Sequence, residues 1–313
     1  MTEPFHHVPV MVEEIVEIFR SVPAGWIVDA TVGGGGHASR LLEARPDCRL
    51  VGIDRDPDAL AATAERLAPF GDRVVLHHAR FDALATVMSD LAISDVSGVL
   101  FDLGVSSPQL DRADRGFSYR NDGPLDMRMD PTETWTANDV VNGYEEDELA
   151  EVLRELGDEK FAVRIARAIV AARPIESTAE LASIVREAIP APARRRGGHP
   201  AKRTFQAIRM EVNREADVLP TALDAAVAVT KPGGRVAVLS YHSGEDRVVK
   251  ATFRQHATGG CTCPVGLPCV CDAVRTVRLV RPGGLTPSAA ELATNPRAQS
   301  ARLRLVERLP SGA

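Results

Sequence analysis

Two acids and a run of glycines are the residues best placed to do chemistry. In "DATVGGGGHASRLL", residues 29–42, four glycines stand between an apolar run and the start of a helical pattern. Glycines at a strand-to-helix turn let the backbone approach a ligand, and the helix start offers unpaired N–H groups and the positive end of its dipole. Asp54 closes the apolar run of "VGIDRD" about 20 residues further on, where an acid can bind both hydroxyls of a ribose. Turn and acid together point to an adenosine-containing cofactor, either a nicotinamide dinucleotide or S-adenosylmethionine. Gly33, Gly35 and Ala38 satisfy G-x-G-x-x-G/A, a weak pattern alone, and a flexible turn without a ligand is its plainer use. No P-loop pattern G-x-x-x-x-G-K-[ST] occurs, which disfavours a nucleotidase of that kind. Asp102 ends the run "VLFD", at the carboxyl end of a strand, where open α/β sheets place ligands; capping a turn is the alternative use.

Three further groupings carry chemical potential. "RRRGGHPAKRTFQAIRMEVN" concentrates Arg194, Arg195, Arg196, Lys202, Arg203 and Arg209. Helical spacing there sends Phe205, Ile208 and Val212 to the core and Lys202, Gln206, Arg209 and Asn213 to an outer face. Such a face suits phosphates, although charge runs also serve as ordinary solvated surface. "CTCPVGLPCVC" gathers Cys261, Cys263, Cys269 and Cys271, enough thiolates for tetrahedral zinc, although C-x-x-C is the commoner knuckle and a reduced cluster without metal is the alternative. His242 and Asp246 in "SYHSGEDR" follow a strand; with no G-x-S-x-G elbow they read as a substrate-side pocket wall rather than a hydrolase site.

The elements that position these residues alternate. "GWIVDATVG" reads as a strand, "HASRLLEARP" as a helix, "CRLVGIDRD" as a strand, and "DPDALAATAERLAPF" as a helix capped by Asp56 with Pro57 at its first position. "DRVVLHHARF" and "VSGVLFDLGVSS" add strands with a helical stretch between them, a pattern that implies right-handed crossovers and a parallel sheet. From residue 107 to 214 a polar, loop-rich stretch gives way to amphipathic helices such as "EEDELAEVLRELG" and "EKFAVRIARAIVAAR", read as a helical insertion. The alternation resumes through "KPGGRVAVLSYHSGEDRVVKATFRQ", and "AVRTVRLVR" and "SARLRLVERL" close the sheet edge. The expected organisation is therefore an α/β domain of residues 1–106 and 215–313 interrupted by a helical domain of residues 107–214.

Composition bounds the partners. With 44% hydrophobic and 26% charged residues the chain can bury a substantial core, and its net charge of −6 disfavours a protein that simply coats nucleic acid while leaving room for a local basic patch. Acidic residues near the start, no apolar run of membrane-spanning length and only five cysteines lead to a cytoplasmic expectation without membrane association.

Taken together, "GGGGHASRLL", "GIDRDPDAL", "LFDLGVSSPQLDRADRGFSYRNDGPLDMRMDP", "GDEKFAVRIARAIV", "HPAKRTFQAIRMEVN", "YHSGEDRVVK" and "NPRAQSARLRLVER" resemble the bacterial 16S rRNA cytosine-N4 methyltransferase family, RsmH, formerly MraW. The resemblance runs from "HHVPVM" to the final strand and is weakest around residues 255–290. It implies a class I, Rossmann-like S-adenosylmethionine methyltransferase sheet with a helical insertion that recognises RNA. The implied substrate is cytidine 1402 in the decoding region of 16S rRNA of the small ribosomal subunit. It also implies that Gly35, Gly36 and His37 line the methionine end of S-adenosylmethionine, that Asp54 binds its ribose, that Phe81 packs near adenine, and that Asp102 and Gln109 complete the wall. Asp102 is then the candidate catalytic residue, accepting a hydrogen bond from the cytosine amino group. Arg196, Lys202, Arg203 and Arg209 are candidate RNA contacts. Where many amino-methyltransferases carry [D/N/S]-P-P-[Y/F/W] this chain has "DLGVSS", so the base-stacking partner is open, with Phe117 and Tyr119 as candidates or as loop anchors. Competing readings are a nicotinamide-dependent oxidoreductase and a non-catalytic RNA-binding ribosome assembly factor.

Overall fold

The computed structural model describes residues 9–194, 198–264 and 270–310. Arg195, Arg196 and Cys269 lie outside the described residues. The chain divides into two compact units, Met1–Gly104 with Val218–Ala313, and Val105–Asp217.

The first unit opens with α1 (Val12–Arg20), followed by β1 (Gly25–Asp29), α2 (Gly36–Ala44), β2 (Cys48–Asp54), α3 (Pro57–Leu67), β3 (Val74–His78), α4 (Leu84–Asp90) and β4 (Val96–Asp102). The second unit holds α5 (Ser107–Asp111), α6 (Ala137–Gly143), α7 (Glu146–Glu155), α8 (Ala162–Ala172), α9 (Thr178–Ala188), α10 (Ala191–Arg194) and α11 (Lys202–Asn213). The chain continues through α12 (Glu215–Val229), β5 (Thr230–Ser240), α13 (Ser243–Thr258), β6 (Val277–Leu279), α14 (Ala289–Thr294) and β7 (Arg302–Arg308).

In the first unit the strands form one sheet in the order β3-β2-β1-β4-β5-β7-β6. The first five are parallel, and β7 runs antiparallel between β5 and β6. The mainly parallel α/β sheet expected from the alternation is thus present, with the Rossmann-like architecture that the resemblance implies. Both faces are covered, which explains the near-continuous apolar strands. Trp26, Val28, Val99 and Phe101 turn to one side against α4, α12 and α13, while Ile27 and Leu100 turn to the other against α1 and α2. Asp56 caps α3 by accepting the Asp58 N–H at 3.1 Å, with Pro57 at the first helical position. The order reverses at β1, whose neighbours are β2 on one side and β4 on the other, so the carboxyl ends of these three strands are adjacent.

The second unit is helical around its own core. Leu149 and Leu153 of α7, Ile165 and Ile169 of α8, Leu181 and Val185 of α9, and Phe205 and Ile208 of α11 meet there at helical spacing. The polar stretch before α6 is pinned by buried side chains. Arg115 donates to the Arg128 and Met129 carbonyls at 3.0 Å each. Asn213 accepts the Met129 N–H at 2.8 Å and donates to the Met127 carbonyl at 2.7 Å. No helix among the described residues is long and apolar enough to cross a membrane.

Candidate active site

β1, β2 and β4 each end on an aspartate, Asp29, Asp54 and Asp102. Parallel pairing in register aligns those ends: Asp29 lies opposite Gly52 on β2 and Leu100 on β4. Three carboxyl groups are thereby gathered at one edge of the sheet, and burial shifts two of them, Asp29 and Asp54. Burial pushes Asp29 up to about 8, opposed by the Thr31 N–H and reinforced by Asp102 and Asp54. Burial also pushes Asp54 up to about 6, opposed by the N–H groups of Asp56 and Gly33.

Asp102 is held from several directions. Its own N–H donates to Thr31 Oγ1 at 2.6 Å, which fixes the backbone where β4 leaves the sheet. The Tyr241 hydroxyl donates to Asp102 Oδ1 at 2.7 Å from the residue just after β5. Burial, and then the Asp102 charge beside it, hold the Tyr241 phenol well above its ordinary range, so it remains a donor. The buried His37 ring faces the other carboxylate oxygen, with Nδ1 3.6 Å from Oδ2, and Nε2 lies 2.9 Å from the Val10 carbonyl. A carbonyl only accepts, so Nε2 carries the ring hydrogen. The result is a carboxylate with fixed orientation and partial exposure, 23% for its side chain, able to accept a further hydrogen bond.

The glycine turn has two separate reasons for lacking side chains. Gly33 (φ 51°) and Gly35 (φ 73°) occupy the left-handed region that costs other residues energy. At Gly36 the reason is internal, because a Cβ would fall on the Pro9 ring. Asp54 ties the turn to β2, accepting the Gly33 N–H at 2.8 Å through Oδ2 and the Asp56 N–H at 2.9 Å through Oδ1. A Cβ on Gly33 would meet only the Thr31 carbonyl, at 3.8 Å. Open backbone, a helix start and a partly buried acid therefore fit an adenosine-bearing cofactor.

The other expected residues fall in several places. Phe81 follows β3 and sets its ring edge-on to Phe101 at 5.9 Å, partly buried at the margin of the core. In the second unit Gln109 is buried and accepts the Ser106 N–H at 3.0 Å in a capping box at the start of α5. Lys202 and Arg203 are exposed at the start of α11, and Arg203 donates to the Asp158 carbonyl at 2.9 Å.

Arg209 and Asn213 are corrections. Arg214 turns left-handed (φ 50°) after α11, which swings Glu215 against Arg209, and the two form a bidentate pair at 2.8 and 3.0 Å with side chains only 13% and 10% exposed. Asn213 is buried on the loop described above rather than sharing an outer face. Arg304 on β7 grips Asp246 at 2.6 and 2.9 Å, and His242 caps α13. Phe117 is core, whereas Tyr119 is partly exposed and stacks on His199 at 4.4 Å. The Sγ atoms of Cys261, Cys263 and Cys271 lie within 4.8 Å of one another.

Asp29 and Tyr241 escaped the sequence reading. A signal for Asp29 was present, because "IVDA", "GIDR" and "LFDL" repeat one pattern in which an apolar run ends on Asp. Tyr241 had only its place after a strand to mark it.

Comparison with known proteins places this arrangement in a family. Residues 4–309 match the MraW methylase family. The protein named "Ribosomal RNA small subunit methyltransferase H" from Symbiobacterium thermophilum is 51% identical over 313 residues, covering 98% of each chain. Proteins of the same name from Acidothermus cellulolyticus and Salinispora arenicola are 53% and 54% identical, over 97% of this chain and 94% and 83% of theirs. A match across nearly the whole length, with the strand-end acids and the glycine turn inside it, means that the chain belongs to the MraW methylase family.

Proposed function

We propose that this protein transfers a methyl group from S-adenosylmethionine to N4 of a cytidine in 16S rRNA of the small ribosomal subunit, cytidine 1402, and that it does so in the cytoplasm. The observation that carries the chemistry is the Asp102 carboxylate, one oxygen engaged by Tyr241 and the group fixed at the carboxyl end of β4 beside Asp29 and Asp54. S-adenosylmethionine supplies an electrophilic methyl on a positively charged sulfur.

The cytosine amino group is a poor nucleophile because its lone pair is delocalised into the ring. A carboxylate accepting one N4 hydrogen favours localisation of that lone pair and stabilises the positive charge that reaches nitrogen in the transition state. Asp102 is assigned this role, Tyr241 keeps its carboxylate oriented, and the displaced N4 proton leaves through Asp102 or solvent. In this reading Asp54 receives the ribose hydroxyls, Gly35, Gly36 and His37 stand at the methionine end and Phe81 lies toward adenine. Residues 107–214 would be the RNA-recognising insertion, with Lys202 and Arg203 as phosphate contacts. Alignment of methyl and nitrogen by these groups can supply roughly 7–11 kcal/mol of the barrier reduction.

The test is nucleoside mass spectrometry of small subunits from cells lacking the protein, incubated with purified enzyme and labelled S-adenosylmethionine. Label in N4-methylcytidine is expected. Label in a different nucleoside overturns the target, and absence of label despite measured cofactor binding moves the reading to a non-catalytic assembly factor.

A further inference from the structure

The three thiols at the end of α13 are not used by any step above. We propose that Cys261, Cys263 and Cys271 bind one zinc ion, which clamps the excursion between α13 and the edge strand β6. Their sulfur atoms lie within 4.8 Å of one another although they come from positions up to ten residues apart. Thiolates on a tetrahedral zinc, with Zn–S of about 2.3 Å, stand about 3.8 Å apart, so the cluster needs only a small contraction to reach coordination distance. Sulfur-rich sets of this kind select zinc over hard cations.

Packing does not account for the convergence. The roots of the excursion are fastened by protein contacts: Thr276 N–H donates to the His256 carbonyl at 3.0 Å, His256 Nδ1 lies 2.9 Å from Thr276 Oγ1, and the left-handed Gly259 is packed against the Val274 backbone. Among the described residues beyond those roots apolar burial ends, since Val270 is 85% exposed and Val274 64%. A stretch whose described side chains are exposed or only half-buried gains little packing from bringing three sulfur atoms together, whereas a cation coordinated by all three holds them at this spacing. The Val270 N–H also donates to Cys263 Sγ at 3.5 Å, the kind of backbone bond that orients a metal-binding sulfur. Water or another donor of the chain completes the fourth position. The role is structural, because no residue of the strand-end acid site belongs to the cluster, and the proposal stands independently of the methyl-transfer reading.

The experiment is metal analysis of the full-length protein purified under reducing conditions without chelator, alongside C261S/C271S and, as a thiol control, C48A. About one zinc per chain is expected in the native protein and in C48A, falling at least tenfold in C261S/C271S. Because substitutions can disturb folding, the native protein is also stripped with chelator and titrated with Co²⁺, where a near-ultraviolet thiolate-to-cobalt absorption band is expected at one equivalent. Absence of stoichiometric zinc together with no cobalt–thiolate band overturns the proposal, as does zinc retained at full stoichiometry in C261S/C271S. A disulfide among these thiols in the reduced preparation also overturns it.

Discussion

At the scale of single residues the decisive group is Asp102, because its orientation is set by partners far away in sequence. D102N keeps the shape but replaces the anionic acceptor, and turnover is expected to fall about 100-fold or more with cofactor affinity little changed. Single-turnover kinetics with a separate binding titration checks this, and full turnover in D102N would remove Asp102 from the chemistry. Y241F deletes the 2.7 Å donor to Asp102 Oδ1. A hydrogen bond to a charged group contributes about 1.5–3 kcal/mol, so a loss of kcat of about tenfold or more is expected, with S-adenosylmethionine affinity unchanged. Asp29 has a different signature. A carboxyl whose pKa rises on folding holds its proton longer in the folded state, so its stabilisation is complete below the unfolded value of 3.8 and is lost as pH rises through about 6 for Asp54 and about 8 for Asp29. The cofactor-free protein should therefore lose thermal stability from about pH 4 to about pH 8, and D29N should lose less. Calorimetry across that range decides it; parallel losses in the two proteins would exclude Asp29 as a source.

At the scale of elements, the strands were legible because both sheet faces are covered and the strands read as apolar runs ending in acids. The helices α2 and α3 were legible from their glycine and Asp-Pro starts. α1 was not expected, although Ile15, Val16 and Phe19 of it are buried, because its value lies in covering one sheet face rather than in any turn signal. The segment before it packs Pro9 over Gly36 and Val10 onto His37. In G36A the new methyl would meet the Pro9 ring, and overpacking of this kind costs about 1–3 kcal/mol. Urea denaturation should register that loss, and a variant as stable as the native protein would show that the Pro9 segment yields freely.

At the scale of the whole molecule, the two units separate the acids from the basic insertion along the chain, and each carries its own core. The exposed positions of Lys202 and Arg203 and the buried pairing of Arg209 divide what their substitution should do. K202A/R203A removes exposed charge and is expected to flatten the dependence of RNA affinity on salt by about 1–2 in log–log slope. R209A removes the partner of a mostly buried Glu215 and should instead cost about 3 kcal/mol of stability, read by denaturation. An unchanged salt slope in the double variant would count against the patch. The sequence by itself determined the alternation of strands and helices, the glycine turn, the Asp54 and Asp102 strand ends and the helical character of the insertion. All of these are written in local periodicity and in residues that punctuate a turn. Tertiary structure alone decided that β1 lies between β2 and β4, that Tyr241 reaches Asp102 across 139 residues, that Pro9 occupies the space over Gly36, and that Arg209 folds back onto Glu215. Those outcomes depend on which distant surfaces pack together and on a left-handed turn at Arg214, and helical or strand periodicity contains neither.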